Sequence, residues 1–238
     1  MHLPRLSLIL AACAVALAGC NRNDKAFDDR VHAYLLNHPE VIQEAVSKLQ
    51  DKQQAQVASQ AKAAIGKYRA ALERDPRDFV ANPNGKITVT EFYDYRCPHC
   101  VNAAPAVLSI IQSNPDIRFV FKEFPIFGAP SEHAAAGAIA AKRGGKDYLG
   151  VYRDFMAARP LDTAAVDRIL KAHGVEPATL EQDGFRNDAS AQLAATRQLA
   201  GSLGIDGTPA FIVGDTNIPG EDMDALRAAI AVQRAHKS

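Results

Sequence analysis

This 238-residue sequence has little cysteine and no excess of charge of either sign. Lysine plus arginine and aspartate plus glutamate both number 27. No basic field therefore marks nucleic acid as a partner, and electrostatics leave the substrate class open. Internal repeats and low-complexity tracts are missing, so nothing suggests a solenoid or a disordered chain. The N-terminal apolar run, Leu6 to Ala18, is too short and wrongly flanked for a membrane span. Only four cysteines are present, too few for a disulfide-stapled scaffold. A 47% hydrophobic composition is enough to build a real core, in one ordinary domain with attachments or in two small domains.

Arg5 precedes the apolar run, which has the length and small-residue end of an export signal. Its end, Leu17-Ala18-Gly19-Cys20, resembles the bacterial lipoprotein signal box. That resemblance implies cleavage before Cys20 and a lipid on that cysteine. An ordinary secretory signal with a chance cysteine is the other reading, and both export the chain. Residues 1–19 are expected as a lipoprotein signal peptide and 20–26 as a tether. The expected location is the bacterial cell envelope, facing the periplasm and anchored to the membrane through lipid. Cys13 then leaves with the signal, and only Cys97 and Cys100 remain in the body. A lone close pair in a domain large enough to rely on its core needs a role other than stapling.

Phe27, Val31, Tyr34 and Leu35 recur at helical spacing, and Asn37-His38-Pro39-Glu40 breaks that helix and starts another. From Val41 to Arg74 no proline intervenes, and Val57, Ala61, Ala64, Tyr68 and Ala71 alternate spacings of four and three. Residues 27–74 are expected as an N-terminal helical region. Its seam either folds back on its own domain or is shared by two or three chains in a homodimer or homotrimer. After Asp75-Pro76 and the turn Asn82-Pro83-Asn84-Gly85, Ile87 to Tyr93 reads as a central strand. Helical periodicity over Val101–Ile111 and a strand over Ile117–Phe121 complete a βαβ unit. Residues 131–203 read as a helical insertion, Thr208 to Gly214 as a strand, and Asp222 to Arg234 as a closing amphipathic helix.

Cys97 and Cys100 flank Pro98 and His99 where a strand meets a helix. Two cysteines at this spacing reach each other and close a small disulfide ring or hold two thiols. Unpaired N–H groups and the dipole at a helix N-terminus stabilise a thiolate, which makes Cys97 the nucleophile. Cys100, one turn further in, is the resolving thiol. Pro98 suits the first helical turn, and His99 brings a hydrogen bond or positive charge near the Cys97 sulfur. Zinc is the competing reading of the pair, but no further body cysteine exists. The histidines His32, His38, His133, His173 and His236 form no close pair to complete a site. The redox reading requires an exposed, easily ionised Cys97 thiol.

Glu91-Phe92-Tyr93-Asp94-Tyr95 leading into Cys97-Pro98-His99-Cys100 resembles the DsbA branch of the thioredoxin superfamily. The likeness runs from about Asn82 to Gln233 and includes Gly204-Ile205-Asp206-Gly207-Thr208-Pro209-Ala210-Phe211, similar to that family's cis-proline loop. It implies an α/β, thioredoxin-like domain over 82–238, with the helical insertion and the N-terminal helical extension. It also implies that Pro209 is cis and faces the cysteines, and that Thr208 and Pro209 bind substrate as an added strand. By the same resemblance Glu91 is the buried acid that takes the Cys100 proton through a water. Lys122 on the next strand is then either its partner or part of a purely structural ion pair.

The segment 27–74 resembles the suppressor-of-copper-sensitivity (ScsC-like) subgroup, whose members oligomerise there and act as disulfide isomerases or reductases. The implied activity is thiol–disulfide exchange with cysteine-containing exported proteins. It needs no cofactor beyond a redox-active Cys97–Cys100 disulfide, and a membrane redox protein serves as electron partner. Pro98-His99 points to an oxidase, whereas Thr208 and the helical stalk point to an isomerase. A non-catalytic lipoprotein adaptor that binds peptides or Cu(I) through the vicinal thiols and His99 is the reading from a different class.

Overall fold

A computed structural model describes residues 25–237. The signal segment and residues 20–24 of the expected tether, Cys20 among them, lie outside the described residues, whereas Lys25 and Ala26, expected in the tether, are already helical. The chain divides into two compact units, with the boundary between Gln56 and Val57.

The first unit holds helix α1 (Lys25–Asn37) and the opening turns of α2 (Glu40–Glu73), separated at His38-Pro39. Proline in the first turn lacks an N–H that would be unpaired there anyway, so it starts α2 without penalty. Within this unit no residue of α1 is buried, and Phe27, Val31, Tyr34, Leu36, Ile42, Val46 and Leu49 are all exposed. No helix among the described residues is long and apolar enough to cross a membrane.

The second unit is built on a five-stranded sheet ordered β1-β3-β2-β4-β5, from β1 (Phe79–Ala81), β2 (Ile87–Tyr93), β3 (Ile117–Glu123), β4 (Ala210–Val213) and β5 (Thr216–Pro219). β2 and β3 run parallel and are joined by α3 (Pro98–Ser113); the other neighbouring pairs are antiparallel. The insertion comprises α4 (Ala129–Arg143), α5 (Tyr148–Ala157), α6 (Thr163–Ala172), a short 3-10 turn and α7 (Asp183–Ser202), and α8 (Met223–Lys237) closes the chain. Strands covered on both faces need apolar residues at nearly every position. β3 and β4 are buried throughout, and β2 at all but Thr88.

Val89, Tyr93, Phe119, Phe121, Phe211 and Val213 face one layer, where α3, α5, α6 and α8 contribute Val107, Tyr152, Phe155, Leu170 and Leu226. Phe92, Ala210 and Ile212 face the other, against Leu199 of α7, Leu203 just past its end, and Ile65 and Leu72 of α2. Ile65 and Leu72 are each 1% exposed. The long helix therefore does not belong to the N-terminal region as a whole: from Val57 onward it is part of the thioredoxin-like body. β1 and β5 were not expected. They are three and four residues long, too short for an alternating pattern, and exist through pairing with β3 and β4.

Candidate active site

β2 ends at Tyr93, and a tight turn carries the chain into α3 with Cys97 as N-cap and Pro98 in the first turn. Asp94, buried, organises that turn. Its carboxylate accepts hydrogen bonds from the backbone N–H of Arg96 (2.7 Å), Ile126 (2.7 Å) and Phe127 (3.0 Å) and from the Ser131 hydroxyl (2.8 Å). One carboxylate thus ties the cysteine turn to the loop after β3.

Cys97 and Cys100 are free thiols in this state. The Cys97 S–H donates to the Thr208 carbonyl oxygen at 3.1 Å, and Thr208–Pro209 is a cis peptide. The structure thereby brings Cys97, Cys100, Pro98, His99, Thr208 and Pro209 together. Pairing of Phe92 with Ala210 across β2 and β4 sets the loop opposite the cysteine turn, and Gly220 N–H donating to Pro209 O at 2.8 Å fixes its outer side. The expectation of an exposed Cys97 thiol is not met: the residue is 2% exposed. The Thr208 loop covers the sulfur, while Arg96, Pro98 and His99 around it are exposed. The thiol lies one loop below the surface, so the redox reading, which required an open sulfur, now requires the Thr208 loop to yield to a client.

Despite its burial, Cys97 is a strong acid for a thiol. A hydrogen bond from the Cys100 thiol holds its pKa down at about 5, helped by the Thr208 side chain and the backbone N–H groups of Cys100 and His99. Burial drives Cys100 the opposite way, far above the ordinary thiol range, and its hydrogen bond to Cys97 adds to this. The two sulfurs are chemically unequal, and the environment sets the inequality. His99 is exposed and pairs through Nδ1 with Glu221 Oε1 at 3.1 Å. That hydrogen bond raises the pKa of its imidazole, and the Cys97 sulfur contributes in the same direction.

Glu91 is fully buried, and neither carboxyl oxygen has a hydrogen-bond partner. Burial pushes its pKa up to about 8, with repulsion from Glu123 adding to it. Of the two alternatives for Lys122, the structure takes the ion pair away from Glu91. Its ammonium donates to the Ala71 carbonyl (2.6 Å) and pairs with Asp78, buried on the far side of the sheet. In register Glu91 stands opposite Phe121 and Phe92 opposite Lys122, so Glu91 and Lys122 differ by one position and emerge on opposite faces. The Lys122 ion pair is thus a structural one, with Asp78.

Sequence reasoning missed a second buried acid on the Glu91 face. Glu123 Oε1 accepts hydrogen bonds from the hydroxyls of Tyr93 (2.6 Å), Tyr148 (2.7 Å) and Tyr95 (3.0 Å). A partial signal was available: Glu91 and Glu123 are acids inside mostly apolar strands, although Arg118 and Lys122 also interrupt β3. Among the described residues no group of three or more His, Cys, Asp or Glu side chains gathers as a metal site.

The DSBA-like thioredoxin domain family matches residues 88–231, and the N-terminal domain of the copper resistance protein ScsC matches residues 25–56. Crystalline BcfH of Salmonella enterica Typhimurium superposes with a TM-score of 0.70 at 30% identity, covering 91% of this chain and 98% of that one. A linker-deletion variant of Proteus mirabilis ScsC gives 0.69 at 25% identity, covering 91% and 97%. The thiol:disulfide interchange protein DsbA of Bordetella parapertussis is 33% identical over 139 residues, which are 55% of this chain and 64% of that protein. Two longer curated relatives, Na(+)/H(+) antiporters of Salinispora arenicola and Salinispora tropica, match at 28% and 27% identity; this chain spans about a quarter of their length, 25% and 28%. With a thioredoxin-like body over most of its length and an ScsC-type segment before it, the chain belongs to the DsbA-like thioredoxin family, a family of thiol–disulfide oxidoreductases.

Proposed function

We propose that this protein introduces disulfides into cysteine-containing exported proteins, with Cys97 as the exchanging sulfur and Cys100 as its resolving partner. The observation that carries this reading is the Cys97 sulfur at the head of α3, lying against the Thr208 carbonyl beside Pro209. A client thiolate attacks Cys97 Sγ, the Cys97–Cys100 bond breaks, and Cys100 leaves as a thiolate. Its very high proton affinity then draws a proton from Glu91, the buried acid beside it. A second client thiolate attacks the client sulfur of the mixed disulfide and expels Cys97 as a thiolate, for which a pKa of about 5 makes it a good leaving group. The client loses two electrons and gains a disulfide, and the dithiol left behind passes those electrons to a membrane redox protein. No cofactor beyond the cysteine pair enters.

The S–H bond to Thr208 exists only while Cys97 is protonated. Ionisation or disulfide formation frees that carbonyl to accept an N–H from an extended client segment, as strand addition requires. Thr208 and Pro209 thus serve as the substrate-binding edge. The same loop that covers the sulfur is the one a client engages.

A stabilised thiolate favours the reduced form and makes the disulfide oxidising, which supports the oxidase direction. One observation favours an isomerase instead: the unburied apolar side chains of α1 and of α2 before Val57 suit self-association, which gathers several active sites around one client. Export and a lipid on Cys20 are proposed from the signal box and place the protein on the periplasmic side of a bacterial membrane.

Refolding of a scrambled-disulfide substrate, with Cys97→Ala as control, tests the reading. Turnover that the substitution abolishes supports it; wild-type protein without turnover points to an adaptor that binds peptides or Cu(I). Redox titration separates the directions, with a potential near about −120 mV expected for an oxidase and one near about −270 mV ending that assignment.

A further inference from the structure

Glu91 and Glu123 lie on adjacent parallel strands, both buried, both on the face that holds Cys100 and Tyr152. Glu91 stands opposite Phe121 and Glu123 opposite Tyr93, so the two carboxyls are diagonal neighbours. Burial pushes both carboxyls up to about 8, and since each charge opposes the other they ionise in turn, the one with more donors first. The donors are distributed unequally. Glu123 receives three tyrosine hydroxyls, and Glu91 receives none.

We propose that Glu123, the first of the two acids to ionise because Tyr93, Tyr95 and Tyr148 donate to it, is a positioning residue that keeps Glu91 protonated and so ready to hand its proton to the departing Cys100 thiolate. The inference rests on the proton role given to Glu91 above. The groups facing the pair are Cys100 from α3, Tyr152 and Tyr148 from α5, Tyr93 from β2, and Tyr95 and Asp94 from the cysteine turn. None of them is a cation, and the nearest candidate in sequence, Lys122, is committed to Asp78 on the other face. Burial of both carboxyls, with no positive charge to share, allows the pair at most one negative charge at neutral pH, which falls to Glu123 first. The tyrosine oxygens also lie close to one another, Tyr93 2.6 Å from Tyr148 and 2.9 Å from Tyr95; each hydroxyl has one proton, so a bond between two of them replaces one to Glu123.

The proton exchanged is the one that Glu91 gives up when the Cys97–Cys100 bond opens and recovers when Cys100 re-forms a disulfide by attacking Cys97 Sγ in a mixed disulfide. The second event is measurable in isolation. A mixed disulfide of Cys97 with a small thiol is prepared, and the rate at which Cys100 expels that thiol is followed against pH in the wild type, Glu91→Gln, Glu123→Gln and Tyr148→Phe. The infrared carbonyl band of a protonated carboxyl group is titrated alongside. Removing the Glu123 charge, or one hydroxyl that stabilises it, makes Glu91 easier to ionise. Both variants are therefore expected to move the midpoint of the rate profile and of the infrared band down, by about one pH unit or more for Glu123→Gln and by less for Tyr148→Phe. At pH 7 a one-unit change raises the ratio of ionised to protonated Glu91 about tenfold, and its ionised fraction about fivefold. Tyr148→Phe keeps the ring that stacks on Phe79 at 4.1 Å, so it reads the hydroxyl alone should the buried amide of Glu123→Gln disturb folding. A rate profile unchanged by Glu91→Gln removes the proton role of Glu91. A profile that responds to Glu91→Gln but keeps its midpoint in both other variants overturns the assignment of Glu123.

Discussion

Replacing Glu91 by glutamine should stabilise the folded protein, and increasingly so as pH rises above 4.5. In the folded chain burial lifts the Glu91 pKa from 4.5 to about 8. A carboxyl whose folded-state pKa lies above its unfolded value supports the fold fully below the unfolded value, and this support is lost as pH rises through the interval up to the folded value. From pH 4.5 to pH 7 the folded state retains a proton that the unfolded chain releases, which lowers stability by about 3 kcal/mol at 1.36 kcal/mol per pH unit. Glutamine has nearly the same shape and, like the protonated acid, has no hydrogen-bond partner in the pocket. Desolvation of the polar group therefore nearly cancels between the two. Urea unfolding at pH 4.5, 6, 7 and 8 should show no gain from Glu91→Gln at the lowest pH and about 3 kcal/mol at pH 7. The gain should flatten near pH 8, where the folded carboxyl itself ionises. A difference independent of pH over this range would falsify the burial account of Glu91.

Lys122→Met should destabilise the fold by about 3–5 kcal/mol in denaturant unfolding, because it leaves Asp78 buried without its cation, while leaving the pH profile of Cys100 resolution in place; a displaced profile would restore the Glu91–Lys122 pairing. A chain truncated to begin at Val57 should fold and give a normal near-UV spectrum. One beginning after Arg74 loses Ile65 and Leu72 from the core and the Ala71 and Leu72 carbonyls that accept from Lys122 and Thr90, and circular dichroism should find it unfolded or strongly destabilised. Alkylation of Cys97 followed against pH should titrate with a midpoint near 5. His99→Ala should move that midpoint up and the disulfide potential to more reducing values, since it removes the cation that Glu221 holds beside the sulfur; an unmoved midpoint would mean that the helix end and Cys100 act alone.

Much of this protein is written in local pattern. The two N-terminal helices, the central strand before Cys97, the helical insertion and the closing helix each carry a periodicity or a breaker that is independent of the rest of the chain, so they are readable residue by residue. The cysteine spacing at a strand-to-helix junction specifies its chemistry for the same reason: both sulfurs and the helix end belong to one short stretch. Even the loop at Thr208-Pro209, 111 positions from Cys97, was reachable, although only through likeness to a family.

Tertiary packing decided what depends on which face of the sheet a side chain takes and on what arrives from elsewhere to cover it. Lys122 lies one strand from Glu91 and still serves Asp78, because adjacent strand positions point to opposite faces. The body claims α2 from Val57 onward because a sheet with two apolar faces needs a helix on each, and no spacing within α2 records which of its turns will meet one. Cys97 is covered rather than exposed because a loop from the far end of the chain lies across it. The three hydroxyls on Glu123 come from the central strand, the cysteine turn and the inserted helix α5. Sequence supplies acids and donors at separate addresses; only folding sets them within 3.0 Å of one another, and at that range in a dry interior their number decides which carboxyl bears the charge.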